Sequence, residues 1–353
     1  MNETPSNTYE LCYSWGDVQP WNPFADDQEI NVNTPYFSGV FRSMEQHLNA
    51  APLKFYVTWN VRSLPSYGDD VVAVVLGDEW CRIPDYANRV RAVFKCYGFK
   101  PATGARLFRT PSHLNFLAWM QYLRMQAYRT PGVAKSMASR LSGSGRTPLY
   151  PIPLGYANQM ALPIRPLQER GVDIYFAGSV DHTAYPMWSA KKWLQTPKSL
   201  ARQEMLAALK IIEQQRPDLN VKVETQAGFT PHRIRSTESS LEQEKRRYSE
   251  AMMDTIVCPV PRGTSLETFR YFEGMRYGCI VITEALPPHW FYNGSPTLRV
   301  ERWSELGAMI DGLLADPERM NTMHTAALEW WDRYCSEAAV GKFIADKLRD
   351  TGL

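Results

Sequence analysis

Residues 258–283 read CPVPRGTSLETFRYFEGMRYGCIVIT, and this stretch decides the fold. Thr255–Cys258 and Cys279–Ile282 have the short, apolar, β-branched character of buried strands, and Ser265–Tyr277 between them has helical spacing. The turn Pro261-Arg262-Gly263 punctuates the passage from strand to helix, and Gly263 permits a close backbone approach. Thr264 or Ser265 is placed to cap the helix, whose free N–H groups and dipole suit a phosphate. Arg270 is expected to reach the same anion with paired donors. Glu267 and Glu273 offer acceptors for sugar hydroxyls, as an acidic residue does for ribose in dinucleotide folds. A diphosphate flanked by two polyols uses all of these groups together. The competing reading of Arg270 and Glu273 is an i,i+3 ion pair on a solvated helix face.

Outward from this segment the second half alternates. Val172–Phe176, Val221–Glu224, Thr255–Cys258 and Cys279–Ile282 read as strands, with helices over Lys198–Gln215 and Glu238–Met253 between them. Such alternation predicts a parallel sheet covered on both faces. Further helices are expected over Trp303–Leu314, Pro317–Tyr334 and Glu337–Leu348. In the first half, Gly39–Leu48 reads as a helix and Leu53–Trp59, Val71–Leu76 and Val90–Phe94 as strands. A helical pattern from His113 to about Arg140 is expected to break or kink at Thr130-Pro131-Gly132. Proline is dense from Thr147 to Pro166, which marks the connection between two domains.

The pattern P-R-G-x-S-x-x-T-x-R-x-x-E-x-x-x-x-G-C-I-V-I resembles the donor-binding segment of exostosin-like glycosyltransferases. The resemblance implies the GT-B fold, an α/β architecture of two Rossmann-like domains facing across a cleft. It puts the phosphate-binding arginine on Arg270 and the ribose-binding glutamate on Glu273; the family serine falls on Thr268. Gly274 and Val281 depart from the family's alanine and proline. Asp173-Ile-Tyr-Phe-Ala-Gly178 resembles the family's strand that ends at a glycine facing the cleft. Arg202 matches an arginine that contacts the donor diphosphate, and Tyr248 lies on a matching helix. The implied donor set is Gly178, Arg202, Arg262, Gly263, Thr264, Ser265, Glu267, Thr268, Arg270 and Glu273. The implied layout is an acceptor-side domain over 1–160, a nucleotide-sugar domain over 161–335 and a helix over 336–353 returning to the first domain. The activity expected is transfer from a nucleoside diphosphate sugar to a hydroxyl of a glycan or lipid-linked acceptor. A non-catalytic GT-B subunit that only binds the nucleotide sugar is the alternative.

The chain has 353 residues, 44% hydrophobic and 22% charged, enough to build two ordinary cores. No Asp-x-Asp pair occurs, which argues against transferases that hold the nucleotide through a metal, so neither metal nor cofactor is expected. The six histidines show no metal-like spacing; His182, just past Gly178, is placed to face the donor. Arg233, Arg235 and the run Lys245-Arg246-Arg247 are basic groups near the expected cleft, the run being the kind usually found on a solvated face. Scattered cysteines and an N-terminus without a basic start or apolar core suggest a cytoplasmic chain with reduced thiols. No motif points to nucleic acid.

For the catalytic base, Val71–Leu76 delivers Gly77-Asp78-Glu79 to the carboxyl edge of the first sheet, where ligands bind in such folds. Asp78 is the expected base for an inverting reaction, Glu79 shares its position, and Asp17 is the alternative. A retaining reaction needs no such base. Residues 1–85 carry 4 Lys/Arg and 12 Asp/Glu, whereas residues 86–168 carry 12 Lys/Arg and no acid. That asymmetry points to an anionic acceptor, unless the acidic N-terminal stretch folds against the basic one and cancels it. His113–Tyr128 mixes Phe116, Trp119, Met120, Tyr122, Leu123, Met125 and Tyr128 with Arg124 and Arg129. It suits either peripheral contact with lipid headgroups or a core-facing stripe with a basic solvated side.

Overall fold

The computed structural model describes residues 7–14, 16–25, 33–48, 52–104, 110–141, 147–157, 159–180, 189, 195–226 and 238–351. The first sheet holds β1 (Thr8–Cys12), β2 (Val18–Pro20), β3 (Lys54–Thr58), β4 (Gly68–Val75), β5 (Val90–Lys95) and β6 (Leu149–Pro151) in the order β2-β1-β3-β4-β5-β6. Only the β1–β2 hairpin is antiparallel. The second sheet holds β7 (Val172–Ser179), β8 (Val221–Gln226), β9 (Thr255–Val260), β10 (Ile280–Thr283) and β11 (Leu298–Arg299) in the order β11-β10-β9-β7-β8, all parallel.

Each sheet is apolar on both faces because both faces are covered. In the first sheet Phe55, Val57, Val72, Val74 and Phe94 pack under α1 (Thr34–His47) and the C-terminal helix. Tyr56, Val71, Ala73, Val75 and Val93 face a layer of loops anchored by Val61, Leu64 and Tyr86. Around the second sheet run α3 (Pro197–Gln215), α4 (Glu238–Met253), α5 (Phe269–Arg276) and α6 (Leu306–Leu314). Ile174, Phe176, Val257 and Ile282 pack against Met205, Leu209 and Ile212 of α3 and Leu306 and Ile310 of α6. On the other face Tyr175, Cys258 and Val281 meet Met252 of α4 and Tyr271, Phe272 and Met275 of α5.

One core joins the two sheets. After α7 (Pro317–Trp330) a π turn over Trp331–Cys335 redirects the chain, and α8 (Glu337–Arg349) lies along α1, with Val340, Ile344 and Leu348 in the first sheet's core. Tyr36 is fully buried at this junction and donates to the Cys335 carbonyl at 2.6 Å. Its ring meets Tyr156 edge-on at 5.4 Å, and both rings lie near Trp331. Tyr156 donates to Glu337 Oε1 at 2.7 Å. All six cysteines are buried and free.

Three sequence expectations need correction. Residues 113–141 form one unbroken helix, α2, with Pro131 inside it. The carbonyl that Pro131 leaves without a partner belongs to Ala127, which is exposed, so water can serve it. Part of the proline-rich connection is a strand: β6 pairs with β5 at the sheet edge, where a proline is tolerated. The helix expected from Ser265 begins only at Phe269. Ser265 Oγ accepts from the Glu267 N–H at 3.0 Å, and Thr268 at the N-cap is extended (φ −142°), so the backbone turns before it coils.

Gly155 sits at φ +66°, and a Cβ there would stand 2.2 Å from the Tyr36 ring. Gly155→Ala is therefore expected to lower unfolding free energy by about 3 kcal/mol, from the clash and the left-handed backbone together. Gly312, exposed in α6 with nothing within 4 Å of a Cβ, is the control: Gly312→Ala should stabilise by about 0.5–1 kcal/mol. Urea unfolding of both variants measures the contrast.

Candidate active site

The carboxyl ends of β7, β9 and β10 lie together because register aligns them: Val257 pairs with Ile280 and Val172 with Thr255. At the end of β7 two guanidinium groups converge. Arg270, in the first turn of α5, donates to the Ala177 carbonyl and lies over the Phe176 ring, 4.5 Å from its centre. A Cβ on Gly178 would come 2.5 Å from Arg270 Nη2, so the glycine makes room for that guanidinium. Arg202, on α3, is 7% exposed and donates to Ser179 through its carbonyl and, at 3.0 Å, its Oγ. The Nε atoms of both arginines are buried without a partner.

Burial and then Arg270 pull the Arg202 guanidinium well below its ordinary value, with Glu79 opposing. Lys198, one turn earlier on α3, is lowered by burial and by the same two arginines, again with Glu79 opposing. Three mutually repelling cations thus share one partly desolvated spot. Glu79 acts on them from the first sheet, beyond the carboxyl end of β4, beside Tyr97.

Asp78 faces inward. It is 1% exposed, its Oδ2 accepts from the Arg82 N–H and its Oδ1 from Arg82 Nε, each at 2.7 Å, and Lys95 Nζ lies 3.3 Å away. Lys95, fully buried, also donates to the carbonyls of Asp78, Cys96 and Gly98. This network fixes the loops at the sheet edge and leaves the Asp78 carboxylate no route to a substrate proton. The residue beside it, Glu79, takes the cleft position. Asp17 is exposed in the β1–β2 turn.

The loop after β9 forms the neighbouring wall. Arg262 is buried, its N–H donates to Glu284 Oε1 at 3.2 Å, and its Nε has no partner. Gly263 is buried against the Glu267 carbonyl and Thr268. The Thr264 carbonyl accepts from Gln121 of α2. Thr268 Oγ1 is buried and unpaired. Glu267 is 2% exposed, neither carboxylate oxygen has a hydrogen bond, and Oε1 is 3.2 Å from His289 Nε2. A narrow interdomain crevice lies here, lined by Cys81, Tyr97 and Lys100 from one side and by Arg262, Ser265 and Glu267 from the other.

Glu273 points elsewhere. Its Oε2 accepts from the Tyr248 hydroxyl at 2.6 Å and its Oε1 from the Ala157 N–H at 3.2 Å, while Gln159 donates to its carbonyl. Both oxygens thus bond groups on α4 and on the connection between the sheets, whereas the resemblance assigns this carboxylate to a ribose. Arg246 and Arg247 are exposed and weakly paired with Glu242 and Glu224. His182, Arg233 and Arg235 lie outside the described residues.

No family model and no curated protein matches this chain. Among solved structures, the GtfA/B complex is similar at 10% identity and TM-score 0.37, over 80% of this chain and 58% of that one, so this chain spans little more than half its length. A sucrose-phosphate synthase from Thermosynechococcus elongatus is similar at 13% identity and TM-score 0.41, over 97% of this chain and 95% of that one.

Sequence reading passed over Lys198 and Glu204. Burial first, then Glu284, pushes the Glu204 carboxyl up to about 7, and Arg302 opposes. The folded chain therefore keeps this proton where the unfolded chain has lost it, so stability falls as pH rises from about 4.5 to about 7. Glu204→Gln removes that loss. Its gain in Tm over the parent should vanish near pH 4.5 and be full above pH 7, as thermal scans across pH will show.

Proposed function

We propose that this chain is a GT-B glycosyltransferase of exostosin-like type, moving a sugar from a nucleoside diphosphate to a hydroxyl across the cleft. The observation that carries the reading is the group of Lys198, Arg202 and Arg270 at the end of β7. Their charges repel, two are depressed by burial, and an incoming diphosphate relieves both penalties at once. The start of α5, one residue before Arg270, adds free N–H groups suited to the same anion. Departure of the diphosphate builds negative charge on the leaving oxygen, which these fixed cations stabilise without reorganising. They supply the charge a divalent metal gives in other transferases, so the donor is held without metal.

The transferred sugar lies at the interdomain crevice beside them, with Glu267 and Arg262 as buried acceptor and donor for its hydroxyls. Glu79, on the opposite wall beside Tyr97, removes the proton from the acceptor hydroxyl. Lys100, which is exposed at the same crevice, receives an anionic acceptor such as a phosphate-bearing or lipid-linked glycan.

Calorimetric titration with uridine and guanosine diphosphates, chelator present, tests the donor site; binding abolished by chelator overturns it. Arg270→Ala and Arg202→Ala should each weaken binding about tenfold to a hundredfold, the loss of one charge-assisted contact. Glu79→Gln should lower kcat about a hundredfold or more with donor affinity retained. Asp78→Asn should instead lower Tm. Nucleotide binding with no transfer or hydrolysis in the parent would leave the non-catalytic subunit as the correct reading.

A further inference from the structure

The helix α2 is built inside out. Over 29 residues, about 43 Å at 1.5 Å per residue, it presents Leu114, Leu117, Ala118, Gln121 and Met125 to the protein. The opposite, solvent face should be polar, yet it carries Phe116 (47% exposed), Trp119 (38%), Met120 (48%) and Leu123 (43%). Those positions are i, i+3, i+4 and i+7, one continuous stripe, and Met137 and Leu141 extend it along the same face at 57% and 91% exposure. The helix contains no carboxylate and carries Arg124, Arg129, Lys135 and Arg140, within a segment, 86–168, that has 12 basic residues and no acid. Arg124 stays exposed beside the stripe, its guanidinium over Trp80 and bonded to the Tyr128 hydroxyl. Lys135 faces Asp85.

We infer that the outward face of α2 docks on an anionic phospholipid surface. Apolar and aromatic side chains enter the headgroup boundary, and the exposed Arg124 beside them meets lipid phosphates, whereas Arg129 is held by the Phe99 carbonyl at 2.7 Å. A protein partner would need a complementary groove, whereas a bilayer needs only this combination of an apolar stripe and a cationic margin. Docking also sets the orientation of the cleft. Gln121, on the buried face of α2, bonds the Thr264 carbonyl of the donor loop, and Met125 lines the interdomain crevice. The donor loop is thereby held about one helix diameter, roughly 10 Å, from the bilayer surface. The inference stands on the helix face alone and does not depend on the transfer reading.

Flotation of the full chain with vesicles of phosphatidylcholine alone, and of phosphatidylcholine with phosphatidylglycerol, is the test. Binding is expected only with the anionic lipid and should weaken with added salt, as exposed charges are screened beyond about 8 Å at physiological ionic strength. Met120→Glu with Leu123→Glu should reduce it by about tenfold or more, since both side chains leave the lipid and bring charge. Circular dichroism and nucleoside diphosphate titration should be unchanged in that variant, which separates loss of docking from loss of fold or donor site. No binding to anionic vesicles, or equal binding by the folded variant, overturns the inference. So does a parent that dimerises by size-exclusion chromatography and a variant that does not, because the stripe is then covered by a second copy.

Discussion

Two guanidinium groups and an ammonium held at one strand end repel each other, and the architecture around β7 exists in spite of that repulsion. Arg202 comes from α3, Arg270 from α5 and Lys198 from the first turn of α3, so three separate placements are needed to bring them together. What holds them is the protein's own oxygen: the carbonyls of Ala177 and Ser179 take up one donor on each arginine. A backbone carbonyl is a partial charge and leaves most of each cation unmatched. Glu79 comes nearest to balancing them among the described residues, and it belongs to the other sheet. The two halves of the molecule therefore meet electrostatically at the end of β7.

That meeting is possible because the domains share a core. The Tyr36–Tyr156–Trp331 cluster joins the helix layer of the first sheet to that of the second, and α8 closes over α1. Chains whose domains touch only through a linker could not hold Glu79 at a fixed place relative to α3. Here the connection is buried, and Gly155 is its tightest point because the Tyr36 ring occupies the space of a side chain.

The second sheet was legible in the sequence because β7, β9 and β10 are mostly apolar and alternate with helices of clear period, although β8 is mixed, with Lys222 and Glu224. The first sheet was legible in part. β3, β4 and β5 are apolar runs, but β1, β2 and β6 are short, edge-ward and mixed, and their pairing depends on partners far away in the chain. Arg202, Arg270 and Gly178 could be placed by motif since each lies at an element end whose position the pattern fixes. Asp78 against Glu79 could not. The two are adjacent on a loop, and only the buried Lys95, seventeen residues on, decides which carboxylate turns inward. Period also misled at α2, where apolar spacing normally marks the buried side and here marks both.

Glu273 takes its orientation from partners outside the motif. It stands three residues after Arg270 on an eight-residue helix, so the two side chains start from neighbouring surface. Arg270 turns to the strand end, whereas Glu273 is captured by Tyr248 and the Ala157 N–H. Neither partner lies in the motif: one is on the preceding helix and the other in the connection from the first sheet. A buried carboxylate without donors is costly, so the nearest N–H and O–H groups determine where it points. One short helix thus carries a cation to the cleft and an anion to the joint between the sheets. The short motif that places Arg270 for an anion also fastens the frame that holds Glu79 opposite it.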